Sequence, residues 1–211
     1  MPDPSNKAST RDRLLDAAAV IFSKKGFTDA TVAEICDDAD ANISAVNYHF
    51  GSKEELYKAA WLRSFEQAMP RHDSGNPAHD APPEEHLRFQ ITTLVERIAN
   101  PDNHVFAIME HEFAHPTGLL RDIITQALMP HKTTFNSHIA ALLGETASAE
   151  AVDLCRASII AQCFHLSKLL KLHETHGELA TFTHLDPKSY AEHVYRFSMG
   201  GIEATRKELQ P

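Results

Sequence analysis

The pattern in this chain that most openly offers chemistry is His111-Glu112-Phe113-Ala114-His115, two histidines four residues apart with a glutamate after the first. On a helix that spacing puts both imidazoles on one face, where they can hold zinc while the glutamate serves as a base. A catalytic zinc needs a third protein ligand, and the extended signature places a histidine six residues after the second one. Arg121 stands at that position, and Pro116 ends the helix directly after the motif. No strand signal marks a substrate cleft. The 14 histidines, His104 and His165 among them, leave a structural or sensory metal as the other use of the pair, against the ordinary role of histidines on surfaces or in cores. The motif therefore defines an alternative class, a zinc-dependent hydrolase or metal-sensing protein. No Gly-rich phosphate loop, nucleophile elbow or triad appears, so no catalytic residue, metal site or cofactor is assigned. Cys36, Cys155 and Cys163 cannot all pair within one chain and lack C-x-x-C spacing, which fits reduced, buried thiols.

A second constellation lies in residues 31–56, TVAEICDDADANISAVNYHFGSKEEL. Thr31 precedes Glu34 by three residues and Ser52 precedes Glu55 by three, so each pair has the form of a capping box and fixes a helix start. Between them Val32, Ile35, Cys36 and Ala39 form one apolar helical face. Asn42 is a good N-cap for a second helix whose Ile43, Val46 and Phe50 share another. A helix, a turn of a few residues and a second helix carrying Ser44, Ala45 and Asn47 in its first turns is the helix-turn-helix layout, whose second helix enters the major groove. A plain helical hairpin inside a bundle has the same spacing.

At these residues the chain resembles the TetR family of transcription regulators. The stretch TRDRLLDAAAVIFSKKGFTDATVAEICDDADANISAVNYHFGSKEELY, residues 10–57, follows the family's N-terminal pattern, including the Ala-Ala of the first helix, Gly26-Phe27, Thr31, Ile35, Ala39, Phe50 and Lys53. The wording NYHFGSKEELY is also similar to the subgroup with a CerR-type C-terminal domain. Asp40 stands where the family usually has glycine, and Asn47 where it usually has tyrosine, with Tyr48 next to it. The first departure changes the turn, although aspartate tolerates left-handed geometry better than most residues. The second bears on which side chain meets the phosphate.

The net charge of −9 argues against DNA binding only if it is read as a sum. Residues 41–53 contain no acid, whereas Asp37, Asp38 and Asp40 precede them and Glu54 and Glu55 follow. Lys7, Arg11 and Arg13 add cations near the chain start. The 211 residues allow two modest domains, and a hydrophobic share of 43% is that of an ordinary globular protein. With no apolar leader and no run long enough to span a bilayer, a cytoplasmic site is expected.

Helical spacing of Leu14, Ala18, Ile21 and Phe22 predicts a first helix over residues 10–25, stopped by Gly26 with Phe27 folding back. A fourth helix opens at Ser52 and runs past Leu56, Ala60, Trp61 and Phe65 to about residue 69. Lys53 in its first turn sits where free amides already favour a phosphate. Residues 70–83, rich in Pro, Asp and Gly, read as a loop. Further helices follow over Leu87 to Ile98, over residues 103–115, and over 118–143 with Pro130 kinking or dividing the last. Ser148 caps a long helix whose apolar residues cover more than one face, which predicts burial on two sides. Asp186-Pro187 opens the final helix, where Gly200-Gly201 either permits a close crossing or breaks it.

The fold class expected is all-α: an N-terminal three-helix helix-turn-helix domain over residues 1–56, followed by a helical ligand-binding and dimerisation domain over 57–211. The resemblance implies a DNA-binding regulator, most often a repressor released from a pseudo-palindromic operator by a small-molecule effector. It implies a homodimer formed by the last two helices and no membrane partner. In that reading Ser44 and Asn47 bond base edges, Ile43 and Ala45 meet thymine methyls, and Thr31, Tyr48, His49 and Lys53 hold phosphates, with Asn42 opening the reading helix. The effector pocket, by the same resemblance, is lined by Trp61, Phe65, Phe106, Met109, Phe113, Phe164 and His165. That set suits a hydrophobic or aromatic molecule, though each also fits an ordinary core.

Overall fold

The computed structural model describes residues 9–68, 76–176 and 186–210, and all regular secondary structure among them is helical. Ser9 opens α1 (Thr10–Asp29) by accepting the Asp12 N–H at 3.1 Å. Gly26, at φ 72° and ψ −178°, breaks that helix internally, so the regular part ends where the sequence predicts. Phe27 then turns back, its ring 5.1 Å from that of Tyr57 and 6.3 Å from that of Phe22. After it come α2 (Val32–Asp38), α3 (Ile43–Phe50), α4 (Lys53–Ala68), α5 (Pro83–Ala99), α6 (Val105–Ala114), α7 (Arg121–Leu143), α8 (Ala149–Thr175) and α9 (Pro187–Leu209).

The chain forms two compact units, and they interleave in sequence. One comprises residues 1–69 and 102–126, the other residues 70–101 and 127–211. In the first unit α1 is the hub against which α2, α3, α4 and α6 pack. Leu14, Ala18 and Phe22 of α1, Ile35 of α2, Val46 of α3, Leu56, Tyr57 and Trp61 of α4 and Ile108 of α6 are all nearly or fully buried. Each large apolar side chain so buried contributes about 1.5–3 kcal/mol. This compact unit also takes in α4 and α6, because α1 presents apolar surface to both of them as well as to α2 and α3.

In the second unit α5, α8 and α9 pack on one another through Leu87, Ile91, Val95, Ile159, Cys163, Leu166, Val194 and Ile202. Burial pushes the Cys163 thiol up to about 12, so it stays protonated and inert at neutral pH. Among the described residues α8 is covered on one face only, where the sequence predicts two: Leu154 is 63% exposed, and Ala157, Ala161 and His165 share that open side. Helix α9 runs unbroken through Gly200 and Gly201, and among the described residues nothing outside the helix's own backbone lies within 4 Å of a Cβ built on either. Phe197, on the same side, is 66% exposed. Pro130 lies inside α7 without ending it. Proline has no N–H to give the carbonyl four residues earlier, and it stands close to the point where the chain passes from one unit to the other.

Candidate nucleic-acid interface

The reading element is assembled from local hydrogen bonds. Thr31 Oγ1 accepts the Glu34 N–H at 3.2 Å, and the Thr31 N–H donates back to the Glu34 carboxylate at 3.1 Å, a complete capping box for α2. Asn42 Oδ1 accepts the Ala45 N–H at 2.9 Å and opens α3. Ser52 Oγ accepts the Glu55 N–H at 3.2 Å at the start of α4, but the Glu55 carboxylate turns to Lys58 instead of closing the box. A lysine on the next turn competes for that carboxylate, so only half of the second capping box forms.

Helix α3 turns Val46 into the core and the rest of its first two turns outward. Ser44, Asn47 and Tyr48 are exposed on one face at i, i+3 and i+4, with Tyr48 84% exposed. Ala45 and His49 are half-buried, and the rings of Tyr48 and His49 meet edge to face at 4.9 Å. Ile43 is 55% exposed instead of sharing the buried side of Val46, although the two are one helical turn apart; it is the first residue of α3, with no preceding turn of the helix beside it. This face holds amide, hydroxyl, phenol and imidazole groups and no carboxylate. At its borders the Lys53 ammonium lies 4.4 Å above the Phe27 ring and the Arg11 guanidinium 5.4 Å from that of Phe50, both placing a cation near the head's surface.

Of the residues assigned to phosphates, Thr31 is the most committed elsewhere. Its hydroxyl also donates to Glu34 at 3.0 Å, so both its polar groups are occupied by one side chain. The Glu34 carboxyl is held below its ordinary range, first by its bond to Lys25 and then by Thr31. Sequence reasoning counts Arg13 only as a cation near the chain start; its guanidinium donates to the carbonyls of Ala39 and Asp40 across 26 and 27 residues, a contact to which no spacing signal points.

The histidine motif is built into the same unit for a different purpose. Glu112 is buried and accepts hydrogen bonds from the Tyr57 hydroxyl at 3.2 Å, the Thr117 N–H and hydroxyl at 3.0 Å, and the Gly118 N–H at 3.0 Å. Such a carboxylate ties the loop after α6 to α4 and has no free lone pair aimed at a substrate. Burial and the neighbouring Glu112 charge push the Tyr57 phenol well up, so it remains a donor. His111 packs on the backbone of Gly26, where a Cβ would stand 3.1 Å from Nδ1, and His115 caps the helix in the open. Among the described residues no three His, Cys, Asp or Glu side chains come together as a metal site. A cleft of about 200 Å³ beside them is lined by Lys25, Phe27, Thr28, Asp29, His111 and His115 among others.

The residues assigned to an effector pocket are placed unevenly. Trp61, Phe65 and Met109 are core residues of the first unit, the rings of Trp61 and Phe65 stacked at 5.2 Å. Phe106 is half-buried on α6 and Phe113 is exposed. Phe164 is half-buried and His165 exposed, both on α8 in the second unit. None of the seven lines the cleft beside His111 or the smaller one of about 130 Å³ between the ends of α5, α7 and α9.

An all-helical protein with an outward-facing, acid-free α3 held on a three-helix support is a helix-turn-helix protein. Residues 14–60 match the bacterial regulatory proteins of the tetR family, and residues 83–202 match the C-terminal domain of the HTH-type transcriptional dual regulator CecR. The second match covers more than half of the chain, which therefore belongs to the tetR family, in the subgroup with a CecR-type C-terminal domain. The subgroup domain is thus named CecR, where the sequence reading has CerR. The chain is 27% identical over 154 residues to CecR of Shigella flexneri, covering 68% of this chain and 67% of that protein. It is 22% identical over 129 residues to YttP of Bacillus subtilis, a probable HTH-type transcriptional regulator, covering 61% of this chain and 62% of YttP. The fold is shared with the crystal structure of the regulator FadR from Bacillus subtilis in complex with stearoyl-CoA, with a TM-score of 0.66, 16% identity and coverage of 90% and 97%. No helix is long and apolar enough to cross a membrane among the described residues.

Proposed function

We propose that this chain is a ligand-responsive DNA-binding transcription regulator, a repressor released from a pseudo-palindromic operator by a small molecule, and not an enzyme. The observation that carries this reading is the face of α3: Ser44, Asn47 and Tyr48 stand free at helical spacing while Val46 anchors the helix beneath them. Residues 1–56 serve DNA contact and residues 57–211 serve effector binding and dimerisation, in the cytoplasm. Ser44 and Asn47 read base edges, Ile43 and Ala45 meet thymine methyls, and Tyr48, His49 and Lys53 hold phosphates. Thr31 contributes by capping α2 beside the backbone. Trp61, Phe65, Phe106, Met109, Phe113, Phe164 and His165 remain the proposed effector-responsive set. A ligand like the stearoyl-CoA in the FadR structure supplies an apolar partner of the kind that set would suit.

The open sides of α8 and α9 support a homodimer. Leu154, Ala157 and Ala161 on one helix and Phe197, Gly200 and Gly201 on the other form an apolar, small-residue surface that a second copy would cover. Two heads then meet successive major grooves. The reading is tested by selecting duplexes from a random pool with the full chain and comparing variants on the enriched sequence. Lys53→Ala should weaken binding to every duplex and lower the salt slope by about 0.9. Ser44→Ala and Asn47→Ala should change which sequences are enriched. Light scattering should give a particle of twice 23.5 kDa; a monomer at micromolar concentration, or equal binding of all duplexes by every variant, would overturn the proposal.

A further inference from the structure

Helix α2 is seven residues long and α3 eight, so the angle between them is set by the few residues from Ala39 to Asn42. Local bonds hold part of this turn: the N–H of Ala39 donates to Ile35, that of Asp40 to Asp37 and that of Ala41 to Cys36, at 3.0, 3.3 and 2.9 Å. Within it Asp40 adopts φ 47°, the one positive φ outside glycine among the described residues. That region costs any residue with a Cβ, aspartate less than most, so a contact that holds the turn beyond its local bonds offsets the cost. The carbonyls on either side of the Asp40 φ and ψ, those of Ala39 and Asp40, both accept from Arg13 on α1, from Nε at 2.9 Å and from Nη2 at 3.3 Å. A planar guanidinium that bonds two successive carbonyls orients both peptide planes through one rigid fork, whereas an ammonium, with rotatable donors on a single nitrogen, imposes no such plane. Arg13 itself is held, because Leu14, Ala17 and Ala18 seat α1 in the core and Arg63 ties its outer face through Asp12 and Asp16.

Resting on the DNA-binding reading above, we infer that Arg13 is a positioning residue for sequence recognition. It sets the direction in which α3 leaves α2, and so the register of Ser44 and Asn47 against base edges, without touching DNA. Aspartate at position 40 makes the clamp necessary, since glycine would take the positive φ unaided. The competing role is that of a phosphate-binding cation, for which the charge of Arg13 would suffice.

The two roles separate in one experiment. The full chain first enriches a preferred duplex from a random pool. Wild type, Arg13→Lys, Arg13→Gln, Asp40→Gly and the Arg13→Lys, Asp40→Gly double variant are then titrated with that duplex and a scrambled one over a salt series. Circular dichroism is recorded on each sample. Arg13→Lys should lower the ratio of preferred to scrambled affinity about tenfold, the scale of one lost base contact, with scrambled affinity and salt slope unchanged. In the Asp40→Gly background the same replacement should cost less than about threefold, because the two positions are coupled. Arg13→Gln, which lacks the charge but keeps a donor, should fall between wild type and Arg13→Lys in that ratio. An equal loss on both duplexes with a slope reduced by about 0.9 would make Arg13 a phosphate contact and overturn the inference. So would an unchanged ratio, or the same loss with and without Asp40. If wild type enriches no sequence, the DNA-binding reading fails first; if it does and Arg13→Lys keeps the ratio, only the role of Arg13 fails.

Discussion

Helices α3 and α6 are both short, both lie in the first compact unit, and both carry a pattern of polar residues that invites a functional reading. They use it in opposite ways. Helix α3 buries one aliphatic residue, Val46, and presents Ser44, Asn47 and Tyr48 outward. Helix α6 turns the polar member of its motif, Glu112, inward and surrounds it with donors from Tyr57, Thr117 and Gly118. Polar residues at functional spacing therefore have two fates, and what separates them is whether the partner of the polar group is solvent or the protein itself. A group left facing water is available to a ligand, whereas one with a full set of internal donors is a structural tie.

That contrast can be broken by measurement, and the largest effect is expected at Glu112. Glu112→Ala leaves the Tyr57 hydroxyl, two backbone N–H groups and the Thr117 hydroxyl without their acceptor, and should destabilise the chain by about 3 kcal/mol in urea unfolding. If the loss were under about 0.5 kcal/mol, the buried tie would carry no stability and the two helices would not differ in kind. Thr31→Ala comes next. It removes the cap of α2 and should cost about 1 kcal/mol by the same measurement, with sequence preference retained. Ser44→Ala and Asn47→Ala, on the open face, should fall within about 0.5 kcal/mol of wild type while altering the enriched duplex.

A pH titration sharpens the inward character of α6 at its other end. His104, which precedes α6, meets Ser23 Oγ through Nδ1 at 3.3 Å. The Ser23 hydroxyl also lies 2.8 Å from the Val20 carbonyl, so Ser23 joins His104 to α1. Burial depresses its pKa below the ordinary 6.5, with nearby Lys24 acting the same way and Asp102 opposing. A depressed pKa in the folded state means that the stability contribution is whole above 6.5 and is lost as pH falls through the lowered value. His131 and His138 in the second unit are shifted the same way by burial. Unfolding midpoints should therefore drop on acidification below pH 6.5, and His104→Gln should reduce that dependence; an identical pH profile for the variant would show that His104 is not desolvated.

Much of the reading head is legible in the chain because its determinants are local. A cap and its target are three residues apart, as in Thr31 with Glu34 and Asn42 with Ala45, so the sequence displays both partners together. The same applies to the stop at Gly26, the start at Asp186-Pro187 and the acid-free stretch of residues 41–53. The half-formed box at Ser52 shows the limit of that logic, since Lys58 takes the carboxylate that local spacing assigns to the cap.

Periodicity marks a face as apolar without naming what covers it. The sequence thus determined that α8 has two apolar sides, and the tertiary structure decided that the described residues cover one of them and leave Leu154 open. Local spacing likewise determined the all-helical class and the α2–turn–α3 layout. Only the folded chain brought Arg13 to Ala39 across 26 residues and Tyr57 to Glu112 across 55. Those contacts depend on how α1, α4 and α6 pack, and packing joins residues whose separation in sequence carries no signature.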